Sequence, residues 1–69
     1  MNRLKDLRED KDLKQIEVAK MLNVSQTNYS KYELGKINIP IETLKKLALF
    51  YNTSLDYILG LTNIKKKLK

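Results

Sequence analysis

The sequence contains no cysteine and no histidine among its 69 residues. Their absence excludes disulfides, zinc sites of the Cys/His kind and any mechanism in which imidazole is the base, and no metal or cofactor is expected. The longest apolar run, Leu47–Tyr51, has five residues, whereas a membrane-spanning helix needs about 20. The first residues also lack the apolar segment of a secretory signal. We therefore expect a cytoplasmic protein that makes no membrane contact.

Positive charge is the main bias of the composition. Fourteen Lys and Arg residues against eight Asp and Glu residues give a net charge of +6. Four of the lysines, Lys65, Lys66, Lys67 and Lys69, lie among the last five residues, and without them the net charge is +2. This balance suits a polyanionic partner. Frequent Lys, Asn and Ile, which have A/T-rich codons, indicate a low-GC bacterium or one of its mobile elements.

Glycine and proline are also scarce, with two Gly and one Pro. Helical periodicity dominates instead and predicts an all-α fold with helices over 3–10, 15–22 and 26–34. A fourth is predicted from Pro40, which suits a first helical turn, to Tyr51, and a short fifth after Ser54. The apolar positions predicted to form the core are Leu4, Leu7, Val18, Ala19, Leu22, Val24, Tyr29, Leu44, Leu47, Ala48, Leu55 and Leu59.

Only Asn23, Val24 and Ser25 separate the second and third predicted helices. Asparagine adopts the left-handed conformation that ends a helix more readily than most residues do. Serine is a preferred residue at the position that caps a helix start. Two helices of about eight residues joined by so short a turn are typical of a helix-turn-helix unit.

The third predicted helix places two tyrosines, Tyr29 and Tyr32, on its inner side and polar residues on its outer side. Amide, methyl and ammonium groups of Gln, Asn, Thr and Lys match adenine, thymine and guanine edges in the major groove of DNA. The same pattern also fits the solvated face of an ordinary surface helix. The candidate base-reading residues are Gln26, Thr27, Asn28, Ser30 and Lys31.

The segment QIEVAKMLNVSQTNYSKYELGK, residues 15–36, resembles the helix-turn-helix domain of the phage Cro and cI-type repressors and their bacterial relatives. IETLKKLA (41–48) and NTSLDYIL (52–59) are similar to the last two helices of that family. The resemblance implies a compact five-helix, lambda-repressor-like domain over residues 1–62, with the helix-turn-helix at helices 2 and 3. Residues 63–69 would form a lysine-rich tail. Three residues depart from the family pattern: Lys14 replaces a Ser/Thr/Asn cap, Asn23 replaces a turn glycine, and Leu34 replaces a polar residue.

The resemblance implies sequence-specific binding of a double-stranded DNA operator by a transcriptional regulator. A repressor acting as a homodimer on a palindromic site is expected, with the dimer surface at the last helix and the segment after it. Nothing in the sequence indicates a small-molecule ligand. Phosphate contacts are expected from Gln15, Ser25, Lys36 and Asn38, although the last two also fit simple loop polarity. Arg8 and Glu33 are expected to form a structural salt bridge between the first and third helices.

The residues also fit a second interpretation of the function. The same fold would also suit a protein-interaction module, such as an antirepressor or a toxin-neutralising partner. An enzyme is not expected, because no catalytic site can be recognised.

Two conformations of the tail are open. Leu61, Ile64 and Leu68 have helical spacing and would extend an amphipathic helix along a dimer seam. Gly60 and the repelling lysines favour a mobile tail instead.

Overall fold

The computed structural model describes residues 2–64, which form five helices and, within that range, no strand. The part that it describes measures 29 × 22 × 20 Å. The all-α, five-helix expectation is confirmed. The helices are α1 (Leu4–Asp10), α2 (Gln15–Leu22), α3 (Gln26–Leu34), α4 (Ile41–Tyr51) and α5 (Leu55–Ile58).

All five helices end in the same way. In each case a residue with positive φ follows the helix, and the amide after it donates to the carbonyl five residues earlier, as Val24 N does to Ala19 O at 3.0 Å. This is the Schellman arrangement, which satisfies carbonyls that the helix leaves unpaired. The left-handed residues are Asp12, Asn23, Gly35, Asn52 and Gly60.

The helix starts differ in how their free amides are satisfied. The hydroxyls of Ser25 and Ser54 each accept a hydrogen bond, at 3.1 Å, from the amide three residues later. The Lys14 side chain has no hydrogen-bond acceptor and cannot cap α2. The start of α2 is stabilised instead by the Glu17 carboxylate, which accepts a hydrogen bond from the Lys14 amide at 2.8 Å. Pro40 precedes α4 directly and lies just outside it.

The core lies between the helices and contains the predicted apolar positions with one exception. Leu59 is 40% exposed, whereas its neighbour Ile58 is completely buried. The prediction of Leu59 as a core residue is therefore wrong. The fifth helix is a single turn that packs against α4. Val24 and Leu55 are partly buried against the core. Tyr32, Tyr51 and Thr53 complete the buried set.

The first residues connect three parts of the fold. The Asn2 side chain accepts from the Leu4 amide at 3.1 Å and donates to the Tyr32 carbonyl at 2.7 Å, so it pairs the first amide of α1 and attaches this helix to α3. Arg3 lies over the Tyr57 ring, with its guanidinium 4.5 Å from the ring centre. The same guanidinium donates to the Thr62 carbonyl at 3.1 Å and to the Asn63 side chain at 2.7 Å. These contacts determine the path of the chain after α5.

Candidate nucleic-acid interface

The turn between α2 and α3 has the geometry that the sequence indicated. Asn23 is left-handed, with φ 59° and ψ 43°, and Ser25 caps α3. Ala19, on the buried side of α2, is fully inaccessible and small, which permits α2 and α3 to approach closely. The two helices therefore form a compact unit in which the orientation of α3 is set by its contacts with α2.

The two sides of α3 differ as predicted. Tyr29 and Tyr32 are buried and pack edge to face, with ring centres 6.4 Å apart. Large aromatic anchors of this kind hold a helix firmly against the core. The outer side presents exposed polar side chains, and only Ser30 among them is half-buried. Because its inner side is anchored, α3 presents this polar side in a defined orientation.

One shallow surface depression brings residues from α2, α3 and the following loop together. Six of the nine residues predicted to contact DNA line it, although they come from positions up to 21 apart in the sequence. Polar and cationic groups therefore converge on one surface where the starts of α2 and α3 meet. The lining residues are Gln15, Gln26, Thr27, Ser30, Lys31, Leu34 and Lys36.

The other three predicted contact residues lie outside this depression. Ser25 and Asn28 are exposed at the start of α3, where the Ser25 hydroxyl accepts from the Asn28 amide. Asn38 lines a second depression together with Asn2, Gly35 and the apolar residues Ile37, Ile39, Leu44 and Leu59. Six of the predicted contact residues thus line one depression, and the other three lie outside it.

Leu34 is the residue at this surface that was not among the predicted contacts. It is 60% exposed and lines the depression between polar neighbours. The sequence did distinguish Leu34, because the family usually has a polar residue at the position before Gly35. An exposed leucine at this place offers a large apolar contact among polar and cationic side chains.

Behind the depression, Arg8 and Glu33 form an ion pair that joins α1 to α3. Arg8 Nε lies 2.6 Å from Glu33 Oε2, and Arg8 Nη2 donates to Glu33 Oε1 at 3.2 Å. The third nitrogen, Nη1, donates to the Leu13 carbonyl at 2.8 Å. The two side chains are only 12% and 4% exposed. All three guanidinium nitrogens of Arg8 are thus engaged, and the carboxylate is held rigidly.

Gln15, at the start of α2, is the third member of this network. Its side-chain Nε2 donates to Glu33 Oε1 at 3.1 Å. Burial by itself would raise the pKa of the Glu33 carboxyl, but the hydrogen bonds that it accepts, above all from Arg8 and then from Gln15, lower that pKa below its usual value. Hydrogen bonding to Glu33 raises the pKa of Arg8, and the pair is ionised at neutral pH.

Within residues 2–64, no group of acidic side chains is arranged to hold a metal ion. None of the helices in the described range has the length and apolar character needed to span a membrane. The predicted roles of Lys65–Lys69 lie outside the described residues. Residues 61–64, which precede them, are not helical.

Comparison with known proteins identifies the family. A helix-turn-helix family model matches residues 4–58. The chain is 40% identical over 65 residues to the HTH-type transcriptional regulator ImmR of Bacillus subtilis, an alignment that covers 94% of this chain and 51% of that protein. It is 39% identical over 70 residues to the cryptic phage CTXphi transcriptional repressor RstR of Vibrio cholerae, covering 99% of this chain and 63% of that protein.

A third relative, the uncharacterized HTH-type transcriptional regulator YobD of Bacillus subtilis, is 36% identical over 61 residues, 88% of this chain and 54% of that protein. The chain thus spans about half to two thirds of the length of these relatives. No solved structure matches it significantly. The family match, the relatives and the five-helix fold lead to one conclusion: the chain belongs to the Cro/cI-type helix-turn-helix family.

Proposed function

We propose that this chain binds duplex DNA in a sequence-specific manner and represses transcription as a dimer on a palindromic operator. The observation that carries the proposal is the depression in which Gln15, Gln26, Thr27, Ser30, Lys31 and Lys36 converge. In helix-turn-helix proteins the second helix of the unit enters the major groove, and its first residues contact base edges. The start of α3 supplies residues suited to that task.

The proposed contacts divide into two kinds. Gln26, Thr27, Asn28, Ser30 and Lys31 read base edges, because their amide, hydroxyl, methyl and ammonium groups distinguish base pairs in the major groove. Gln15, Ser25, Lys36 and Asn38 contact phosphates and set the register of the protein on the duplex without reading sequence. Gln15 is the first residue of α2, where free amides and the helix dipole favour an anion.

Dimerisation is supported by an apolar surface shared by α4 and α5. Leu49 is 72% exposed and, together with Lys45, Ala48 and Leu55, lines a shallow apolar depression. Exposed apolar patches on small proteins frequently mark interfaces. A symmetric dimer would place two copies of α3 in half-sites roughly 34–36 Å apart.

Selection of bound sequences from random duplexes tests the proposal directly. The expected result is an enriched inverted repeat whose half-sites are about 10 base pairs apart, centre to centre. Sedimentation of the protein with the selected duplex should show two protein chains per site. Recovery of no preferred sequence, with binding that salt removes uniformly, would refute sequence-specific recognition and favour the protein-interaction alternative. An enriched single half-site would refute the dimer alone.

A further inference from the structure

We infer that Glu33 is a positioning residue for Gln15: its carboxylate fixes the orientation of the Gln15 amide so that an N–H group is offered to a DNA phosphate. This inference rests on the proposed function. It assigns to the Arg8–Glu33 pair a part in DNA binding besides its structural contact. One hydrogen bond joins the two side chains, from Gln15 Nε2 to Glu33 Oε1, at 3.1 Å.

An ionised carboxylate only accepts hydrogen bonds, whereas a primary amide has a donating and an accepting end. Glu33 therefore accepts from the nitrogen end of the Gln15 amide and repels its oxygen end. A free glutamine side chain at a surface can turn its amide over and present either end to a ligand. The carboxylate beside Gln15 removes that freedom and decides which end faces it.

The carboxylate can act in this way because its hydrogen bonds to Arg8 fix its position. Arg8 holds both of its oxygens, at 2.6 and 3.2 Å, and is itself anchored to the Leu13 carbonyl. The Glu33 side chain is 4% exposed, whereas Gln15 is half-buried and reaches the rim of the depression. A rigid connection therefore runs from the interior of the fold to a side chain at the predicted DNA surface.

The hydrogen-bonding group that the Gln15 amide has left unused determines what it can bind. Within residues 2–64, the bond to Glu33 is the one hydrogen bond that its side chain makes. The nitrogen carries two N–H groups, so one remains available to an external acceptor. Phosphate oxygens are acceptors, and a fixed N–H directed at one binds without first losing rotational freedom. A carbonyl oxygen turned outward would repel the same phosphate.

The test is a double-mutant cycle with Glu33→Gln and Gln15→Ala, measured as affinity for the selected duplex. Glutamine at position 33 keeps the shape of the side chain but both donates and accepts, so it no longer imposes one orientation. In the parent protein we expect Glu33→Gln to weaken binding about tenfold, in the range of a charge-assisted hydrogen bond. In the Gln15→Ala background we expect it to change affinity by less than about twofold. Equal losses in both backgrounds would overturn the inference.

Glu9→Gln is the matched control. It removes the same charge by the same substitution at an exposed position of α1 that lines neither depression. Any gain in DNA affinity that comes simply from removing one negative charge is measured with Glu9→Gln and is subtracted from the effect of Glu33→Gln. If no preferred duplex exists, the proposed function fails together with this inference. If the duplex is bound but Gln15→Ala and Glu33→Gln show no coupling, only the inference fails.

A measurement on the unmodified protein covers the case in which Glu33→Gln does not fold. The Gln15 Nε2 proton that points at the carboxylate should resonate clearly downfield of the corresponding proton of the exposed Gln26 side chain in an NMR spectrum, because a hydrogen bond to an anion deshields it. That proton should also exchange with solvent more slowly than the other. Shifts and exchange rates of the Gln15 amide that match those of Gln26 would overturn the inference without any substitution.

Discussion

Arg8 and Glu33 lie 25 positions apart in the sequence and form a two-point ion pair, at 2.6 and 3.2 Å, between α1 and α3. Both side chains are nearly buried, with 12% of Arg8 and 4% of Glu33 exposed. The pair therefore links the helix predicted to read DNA to the helix that begins the fold.

Replacing Glu33 by alanine should act mainly on folding. The substitution leaves the Arg8 guanidinium in a mostly buried place without its counter-ion, which typically costs about 3–5 kcal/mol. A domain of this size has a total stability of the same order. We expect a large loss of melting temperature, measured by circular dichroism at pH 7. An unchanged melting temperature together with tighter DNA binding would show that Glu33 is an exposed residue near the DNA backbone.

The contribution of Glu33 to stability should also depend on pH. Because the pKa of its carboxyl is lowered in the folded protein, the folded state favours the ionised form. The stabilisation is complete above the ordinary pKa of 4.5 and is lost as the pH falls through the lower folded value. Urea titrations of the parent and Glu33→Gln proteins should therefore converge in stability as the pH is lowered. A constant difference between pH 7 and pH 3 would contradict this.

Asn23 should be a position where glycine is tolerated and alanine is not. Its φ is 59°, in the left-handed region that costs an ordinary L-residue about 1–2 kcal/mol. Asn23→Ala should lower stability by about 1 kcal/mol, and Asn23→Gly should preserve or increase it. The free energy of unfolding in urea measures both. Equal destabilisation by the two substitutions would show that the Asn23 side chain itself stabilises the turn.

Gln26→Ala and Thr27→Ala should reduce specific binding far more than non-specific binding. Both side chains are exposed and line the depression, and a good two-point base contact contributes about 1–3 kcal/mol of discrimination. Lys36→Ala is the comparison, since loss of a phosphate contact weakens binding to all duplexes alike and lowers the salt slope by about one. The measurement that checks this prediction is the affinity of each variant for the selected duplex and for scrambled duplexes. Parallel losses on both duplexes would remove the direct-readout assignment.

Removal of residues 65–69 should reduce the salt dependence of DNA binding and leave specificity unchanged. The deletion removes four lysines but keeps Thr62 and Asn63, to which Arg3 is bound. Each phosphate contact contributes about 0.9 to the slope of log affinity against log salt, and we expect a change of about one unit. Sedimentation of both proteins provides the control. A shortened protein that became monomeric would support the alternative of a helical tail in the dimer seam.

Much of the fold could be predicted from the sequence because the signals that determine it are local. Apolar spacing, the serine caps and left-handed asparagine and glycine residues act within a few positions, and they place α2 and α3 and the turn between them. The exceptions have local causes as well. Asp12 ends α1 in the left-handed conformation although aspartate is a weaker signal for it than asparagine or glycine. In α5, a single turn is too short for periodicity to distinguish Ile58 from Leu59.

Only the tertiary structure decided which side chains meet. Asn2 binds the Tyr32 carbonyl, Arg3 binds the segment after α5, and Gln15 donates to Glu33. These partners are 18 to 59 positions apart, and no local preference encodes their distance or direction, which follow from the packing of whole helices. The sequence by itself determined the helices, the turn and the polar character of the outer side of α3. The packing of α1 and α2 against α3 decided that Gln15 is held by a buried carboxylate.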